Sequence, residues 1–261
     1  MSVVDPETEV ELWFVDTTPP PAERDMRVVL SPVPTVRSCS TAGGDVLGTE
    51  VLGAAVLGAA ERDRARRLAS PADAARYVRA HVAAHEVLAA RTGLSPADVR
   101  WEVGPHGKPG PVVGQRWNLS RSGDHALVAL AETDVGVDVQ VRDPRVDVHR
   151  LAARFLAPAV ARSGADPDLW RCLSRLEACA KAVGGRLLDV LGLDVGAPGL
   201  VRADGGPWHG QEWWVSDVAA PAGAVAACAT PGPRAHAHRT HVWGADTPSP
   251  VSVRGAAGGA R

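Results

Sequence analysis

The chain has 261 residues, 28 of them basic and 30 acidic, with a formal net charge of −2 at pH 7. This near balance excludes the strongly basic surface of a general nucleic-acid binder. Four cysteines without CxxC or CxxH spacing predict neither a zinc site nor a disulfide framework, and an acidic N-terminus with no long apolar run predicts a soluble, cytoplasmic protein without signal peptide or membrane span.

In chain order, residues 9–16 alternate as a strand does, and a Pro- and Ser-rich stretch to about residue 44 reads as a surface loop. From about residue 51 the pattern turns helical, and Ser70 before Pro71 marks a capped helix start. That helix turns Val78, Val82, Ala83, Leu88 and Ala89 toward a core and ends at Gly93. Residues 99–103 read as a strand, 104–114 as a Gly/Pro loop and 116–124 as a polar segment. Two apolar β segments, 125–132 and 135–141, are joined by a polar link at Thr133 and Asp134 and predict a hairpin. A helical region over 147–192 is interrupted near 163–168, and 212–218 and 224–230 are further strands. Residues 231–261 read as a disordered tail, with His236, His238 and His241 solvated rather than bound to metal. The halves 9–133 and 134–230 each run from a strand through long helices to a short apolar strand. A duplicated α+β unit with a cleft between its copies is expected.

Only two of the 28 basic residues are lysines, Lys108 and Lys181. A compact ammonium differs from a guanidinium fork, so a lysine kept in an arginine-rich chain is a candidate for a task arginine cannot do. In residues 135–141 the valines share one strand face, and Gly136, Asp138 and Gln140 share the other. A carboxylate and a carboxamide aimed the same way suit Mg²⁺, although a wet polar strand face has the same pattern. Further on, Glu177 and Lys181 stand at i,i+4 beside Leu173, Leu176 and Ala180. An exposed ion pair would explain that spacing, and so would a half-buried metal ligand or base beside a cation for phosphate. Lys108 lies in the loop GPHGKP, and Ser120, Arg121 and Ser122 offer hydroxyls and a guanidinium to an anion. Arg62, Arg64, Arg66, Arg67 and Arg76 form a basic patch. A serine hydrolase built on Ser122, Asp124 and His125 is a remote reading, because no GxSxG turn is present and neighbours in sequence do not normally form a triad.

Taken in order, GKP, WNLSRSGD, VGVDVQ and LSRLEACAKAVGG resemble the phosphopantetheinyl transferases of the large surfactin-synthetase-activating type, over roughly residues 50–195. The resemblance implies an α+β pseudo-dimer of two similar halves, active as a monomer, with the active site at their junction. It implies an enzyme that uses Mg²⁺ to move the phosphopantetheine arm of coenzyme A onto a serine of an apo acyl or peptidyl carrier protein. Asp138, Gln140 and Glu177 match the metal positions, and Glu177 also matches the favoured base. Lys181 matches the phosphate-contacting helix lysine. Lys108, Ser120, Arg121, Arg76 and Tyr77, with Arg62 and Arg64 as candidates for the 3′-phosphate, match coenzyme A contacts. Departures from the family pattern are Gln140 for a second acid, Arg121 for histidine, Leu176 for lysine and Leu173 for an aromatic residue. Gln140 and Leu176 motivate a second reading, a catalytically weak relative that binds coenzyme A or a carrier without efficient transfer.

Overall fold

The structure is a computed structural model and describes residues 5–19, 55–156 and 168–244. Strand β1 (Asp5–Asp16) precedes the helices α1 (Ala59–Arg66) and α2 (Pro71–Thr92), then β2 (Arg116–Ser122), β3 (His125–Ala131) and β4 (Gly136–Val141). Helices α3 (Val148–Phe155) and α4 (Leu169–Val183) follow, then β5 (Gly199–Arg202), β6 (Glu212–Val218), β7 (Ala224–Pro231) and β8 (His236–Val242). The strands form two four-stranded sheets, ordered β2-β3-β1-β8 and β4-β7-β6-β5. Every pairing is antiparallel except β1 with β8. Helices and separate, mainly antiparallel sheets agree with the expected α+β class.

Period-two alternation explains how the layers stack. Val10, Leu12 and Phe14 of β1 pack with Val135, Val137 and Val139 in a core between the two sheets. Trp13 and Val15, on the other face of β1, pack under α2 with Ala80, Ala83, Ala84 and Val87. On the far side, Leu173, Leu176 and Ala180 of α4 cover the second sheet through Trp213, Val215 and Ala227. The order is therefore α2, first sheet, second sheet, α4. Strand β4 is buried on both faces, by valines on one side and α4 on the other.

α2 begins as its sequence predicts. Ser70 caps it by accepting from the Asp73 N–H, Pro71 occupies the first turn, and Gly93 ends it in the left-handed region at φ 75°. Val78, Val82, Ala83, Leu88 and Ala89 are all buried as expected.

Four expectations are corrected. Segments 125–132 and 135–141 are not a hairpin: β3 pairs with β2 and β1, whereas β4 pairs with β7 in the other sheet. The link at Thr133 and Asp134 thus crosses between sheets. Residues 99–103 contribute only an isolated bridge from Val103 to Pro109. Residues 236–242, read as disordered tail, are strand β8, parallel to β1 and held further by the stack of His241 on Trp13, with ring centroids 4.2 Å apart. β5 was not expected. The predicted loop to residue 44 falls largely on residues 20–54, outside the described residues, as does the break near residue 163. No helix among the described residues is long and apolar enough to cross a membrane.

Candidate active site

Strands β2 and β4 are edge strands of different sheets, and they meet through a ladder of side chains. Asn118 Oδ1 accepts from the Val137 N–H at 3.0 Å, Ser120 Oγ from Val139 N–H at 3.3 Å and Ser122 Oγ from Val141 N–H at 3.0 Å. Alternate polar residues of β2 thereby satisfy the free backbone edge of β4, which would otherwise be buried without partners. The pattern N-x-S-x-S is the sequence trace of this seam.

Asp138 lies on the α4 side of β4 and is 1 % exposed. Helix α4 comes so close because position 136 has no side chain. A Cβ there would stand 2.2 Å from both the Ala178 carbonyl oxygen and the Ala182 nitrogen. The approach brings Lys181 Nζ to 2.6 Å from Asp138 Oδ1, 2.9 Å from Ser120 Oγ and 3.6 Å from Glu177 Oε2. Burial, reinforced by the Asp138 charge, pushes the Glu177 carboxyl up to about 7 against the pull of Lys181. Leu176, where the family pattern has a lysine, is fully buried in the core beneath α4, so an ammonium would be costly there.

Asp138 Oδ2 is buried and has no hydrogen-bond partner among the described residues. Among the described residues, no three His, Cys, Asp or Glu side chains form a metal cluster. Asp138, Glu177 and the half-buried Gln140 are a set of two carboxylates and one carboxamide. That set fits Mg²⁺, which typically takes one or two protein carboxylates and completes its shell with water and substrate phosphates.

Beside this cluster a cavity of about 440 Å³ is lined by Tyr77, Lys108, Arg121 and Lys181, all singled out from sequence. Its wall also holds Glu61, His81, Trp101, Trp117 and Asn118, which sequence reasoning missed. The Arg121 guanidinium sits 4.9 Å over the Tyr77 ring. Lys108 points elsewhere: its Nζ donates to the carbonyls of Val135 at 3.3 Å, Lys181 at 3.2 Å and Ala182, and pairs with Asp134 at 3.3 Å. The bonds to Lys181 and Ala182 cap the C-terminal end of α4, which favours a cation. Arg76 is bound to Asp73 and Asp124, Arg62 donates to the Leu57 carbonyl, and Arg64 is exposed. None of the three lines the cavity. Ser122 and Asp124 are engaged with the Val141 N–H and with Arg76, which leaves the hydrolase reading without support.

The missed residues form a network under the cavity. Glu61 Oε1 faces His81 Nδ1 at 2.7 Å, and Oε2 faces His85 Nε2 at 3.0 Å and accepts from Gly58 N–H at 2.8 Å. His85 Nδ1 faces the Pro96 carbonyl at 2.9 Å. Both ring nitrogens of this fully buried histidine therefore face acceptors, which fixes its ring between Glu61 and the Pro96 carbonyl. Burial opposes ionisation of Glu61, yet the bonds from His81 and His85 win and hold it at about 2. A carboxylate lowered from 4.5 adds stability above its unfolded value and loses it as pH falls toward 2. Burial also lowers His81, so acid acts on it in the same direction. Glu61→Gln should remove on the order of 3 kcal/mol at neutral pH. Denaturant melts at pH 7, 4 and 3 should show the variant losing less stability with acid than the parent.

With this geometry in place, two comparisons give a direction. The chain is similar to two curated proteins named as 4′-phosphopantetheinyl transferases. HetI of Nostoc sp. is 29% identical over 133 residues, covering 47% of this chain and 55% of HetI. The Synechocystis sp. protein slr0495, whose name is given as provisional, is 33% identical over 103 residues, covering 38% of this chain and 42% of its own length. The chain thus spans about half the length of the curated relatives it matches. No protein-family model matches it. These likenesses support the 4′-phosphopantetheinyl transferase superfamily broadly, without favouring the surfactin-synthetase-activating type.

Proposed function

We propose that the protein is a Mg²⁺-dependent 4′-phosphopantetheinyl transferase of the surfactin-synthetase-activating type, a cytoplasmic monomer. It would move the phosphopantetheine arm of coenzyme A to a serine of an apo acyl or peptidyl carrier protein and release adenosine 3′,5′-bisphosphate. The observation that carries the reading is the junction of Asp138, Glu177 and Lys181 beside a cavity edged by Arg121. In both halves the leading strand is followed by helices, and the last strand of a hairpin returns to pair beside it: β1 with β3, and β4 with β7. We read 9–133 and 134–230 as the two units of a pseudo-dimer on this ground, with β8 returning to the first.

Asp138 through its free Oδ2, Glu177 and Gln140 would hold Mg²⁺, which supplies charge neutralisation on the pyrophosphate when bound. Glu177 would take the proton of the carrier serine as its Oγ attacks the phosphorus next to the pantetheine arm. The bond from that phosphorus to the bridging oxygen breaks, and the electron pair leaves with adenosine 3′,5′-bisphosphate. Lys181, already shared between the two carboxylates, would meet the charge of the leaving phosphate. Arg121 would hold an outer phosphate at the cavity edge.

Gln140, neutral where the resemblance implies a second acid, favours one rival: a coenzyme A-binding protein with weak transfer. Incubation with coenzyme A, Mg²⁺ and an apo carrier separates the two, the proposed enzyme releasing adenosine 3′,5′-bisphosphate in step with carrier loading. Gln140→Glu should change that rate modestly in a competent enzyme and raise it strongly in a weak one.

A further inference from the structure

Ser120 was expected to touch coenzyme A, but its hydroxyl is already fully used. It donates to Asp138 Oδ1 at 2.9 Å and accepts from Val139 N–H at 3.3 Å and Lys181 Nζ at 2.9 Å. A serine hydroxyl has one proton and two lone pairs, so no capacity remains for a phosphate oxygen. Burial gives a second observation: Ser120 is 4 % exposed and does not line the cavity, although Asn118 on its own face of β2 does, as do Leu119 and Arg121 on the opposite face.

We propose that Ser120 is a positioning residue that fixes the Asp138 carboxylate against the Lys181 ammonium and does not contact the co-substrate. Its proton occupies Asp138 Oδ1, which leaves Oδ2 as the oxygen without a hydrogen-bond partner among the described residues. Its lone pair holds Lys181 at the end of a flexible stem, between β4 and α4. Phosphate recognition at this edge then belongs to Arg121. The seam itself does not require this particular bond, because Asn118 and Ser122 make equivalent ones to Val137 and Val141.

This inference rests on the transferase reading, and the test separates the two. Coenzyme A binding is measured by calorimetry and carrier loading by steady-state kinetics, for the parent chain, Ser120→Ala, Ser120→Thr and Ser122→Ala. Ser120→Ala should bind coenzyme A within about threefold of the parent while kcat falls roughly thirtyfold, the size expected for losing a hydrogen bond to a charged group. Ser120→Thr, which keeps the hydroxyl, should recover most of that loss. Ser122→Ala, which loses a seam bond without touching Asp138 or Lys181, should keep its turnover. A tenfold or greater loss of coenzyme A affinity in Ser120→Ala would make Ser120 a ligand contact and overturn the proposal. Unchanged kcat in Ser120→Ala, or an equal loss in Ser122→Ala, would overturn it as well. A parent chain that binds no coenzyme A would instead overturn the functional reading on which the proposal stands.

Discussion

Lys181→Arg should keep the positive charge of α4 and lose about 100-fold in turnover. The ammonium is shared among three oxygens: Asp138 at 2.6 Å, Ser120 at 2.9 Å and Glu177 at 3.6 Å. Donors on a point charge can turn to three acceptors around it. A planar guanidinium presents its donors in one plane, and its extra bulk would have to enter between β4 and α4, where Asp138 is buried. Charge is conserved in this variant, so an electrostatic role alone predicts little change and the geometric role predicts a large one. Steady-state carrier loading distinguishes them: full turnover would show that any cation suffices at position 181.

Gly136→Ala should be damaging for both stability and activity. The added methyl would lie 2.2 Å from the Ala178 carbonyl oxygen and the Ala182 nitrogen, both backbone atoms of α4. No side chain can turn away to relieve that contact, so α4 itself has to move. Overpacking of a tight core typically costs about 1–3 kcal/mol, and a displaced helix adds a functional loss. Glu177 and Lys181 ride on α4, while Asp138 stays with β4, so the shift would pull the cluster apart. Loss of a few kcal/mol in a denaturant melt is expected, with turnover reduced by at least about tenfold under conditions where the variant remains folded. A variant with parental stability and activity would mean that α4 can ride higher on β4 without consequence.

How legible this was from sequence depends on the range of the contact. Asp138 with Gln140 on one strand face, and Glu177 with Lys181 on one helix face, follow from local periods of 2 and 3.6, and Lys181 does meet both Asp138 and Glu177. Pairing between elements is different. Adjacent apolar segments favour a hairpin, yet β4 gains more from burying its valine face against the first sheet and its other face under α4 than from pairing with β3. β8, HAHRTHV, has no apolar alternation; its order comes from the edge of β1 and from Trp13 beneath His241. The Glu61 network was invisible because its partners are 20 and 24 residues away, although His81 and His85 stand one helical turn apart. The rarity of lysine was a true signal read too narrowly. Lys181 joins the cluster, whereas Lys108 meets the carbonyl end of the same helix, another place that calls for a small cation with freely aimed donors.

The central claim is transfer, and intact-mass spectrometry of apo carrier proteins tests it most directly. A panel of fatty-acid, polyketide and peptidyl carriers would be incubated with the purified full chain, coenzyme A and Mg²⁺, in parallel with EDTA. At least one carrier should gain the mass of a single phosphopantetheine arm on its serine with Mg²⁺ and gain none with EDTA. No mass gain on any carrier, from a chain shown to be folded and to bind coenzyme A, would contradict the account.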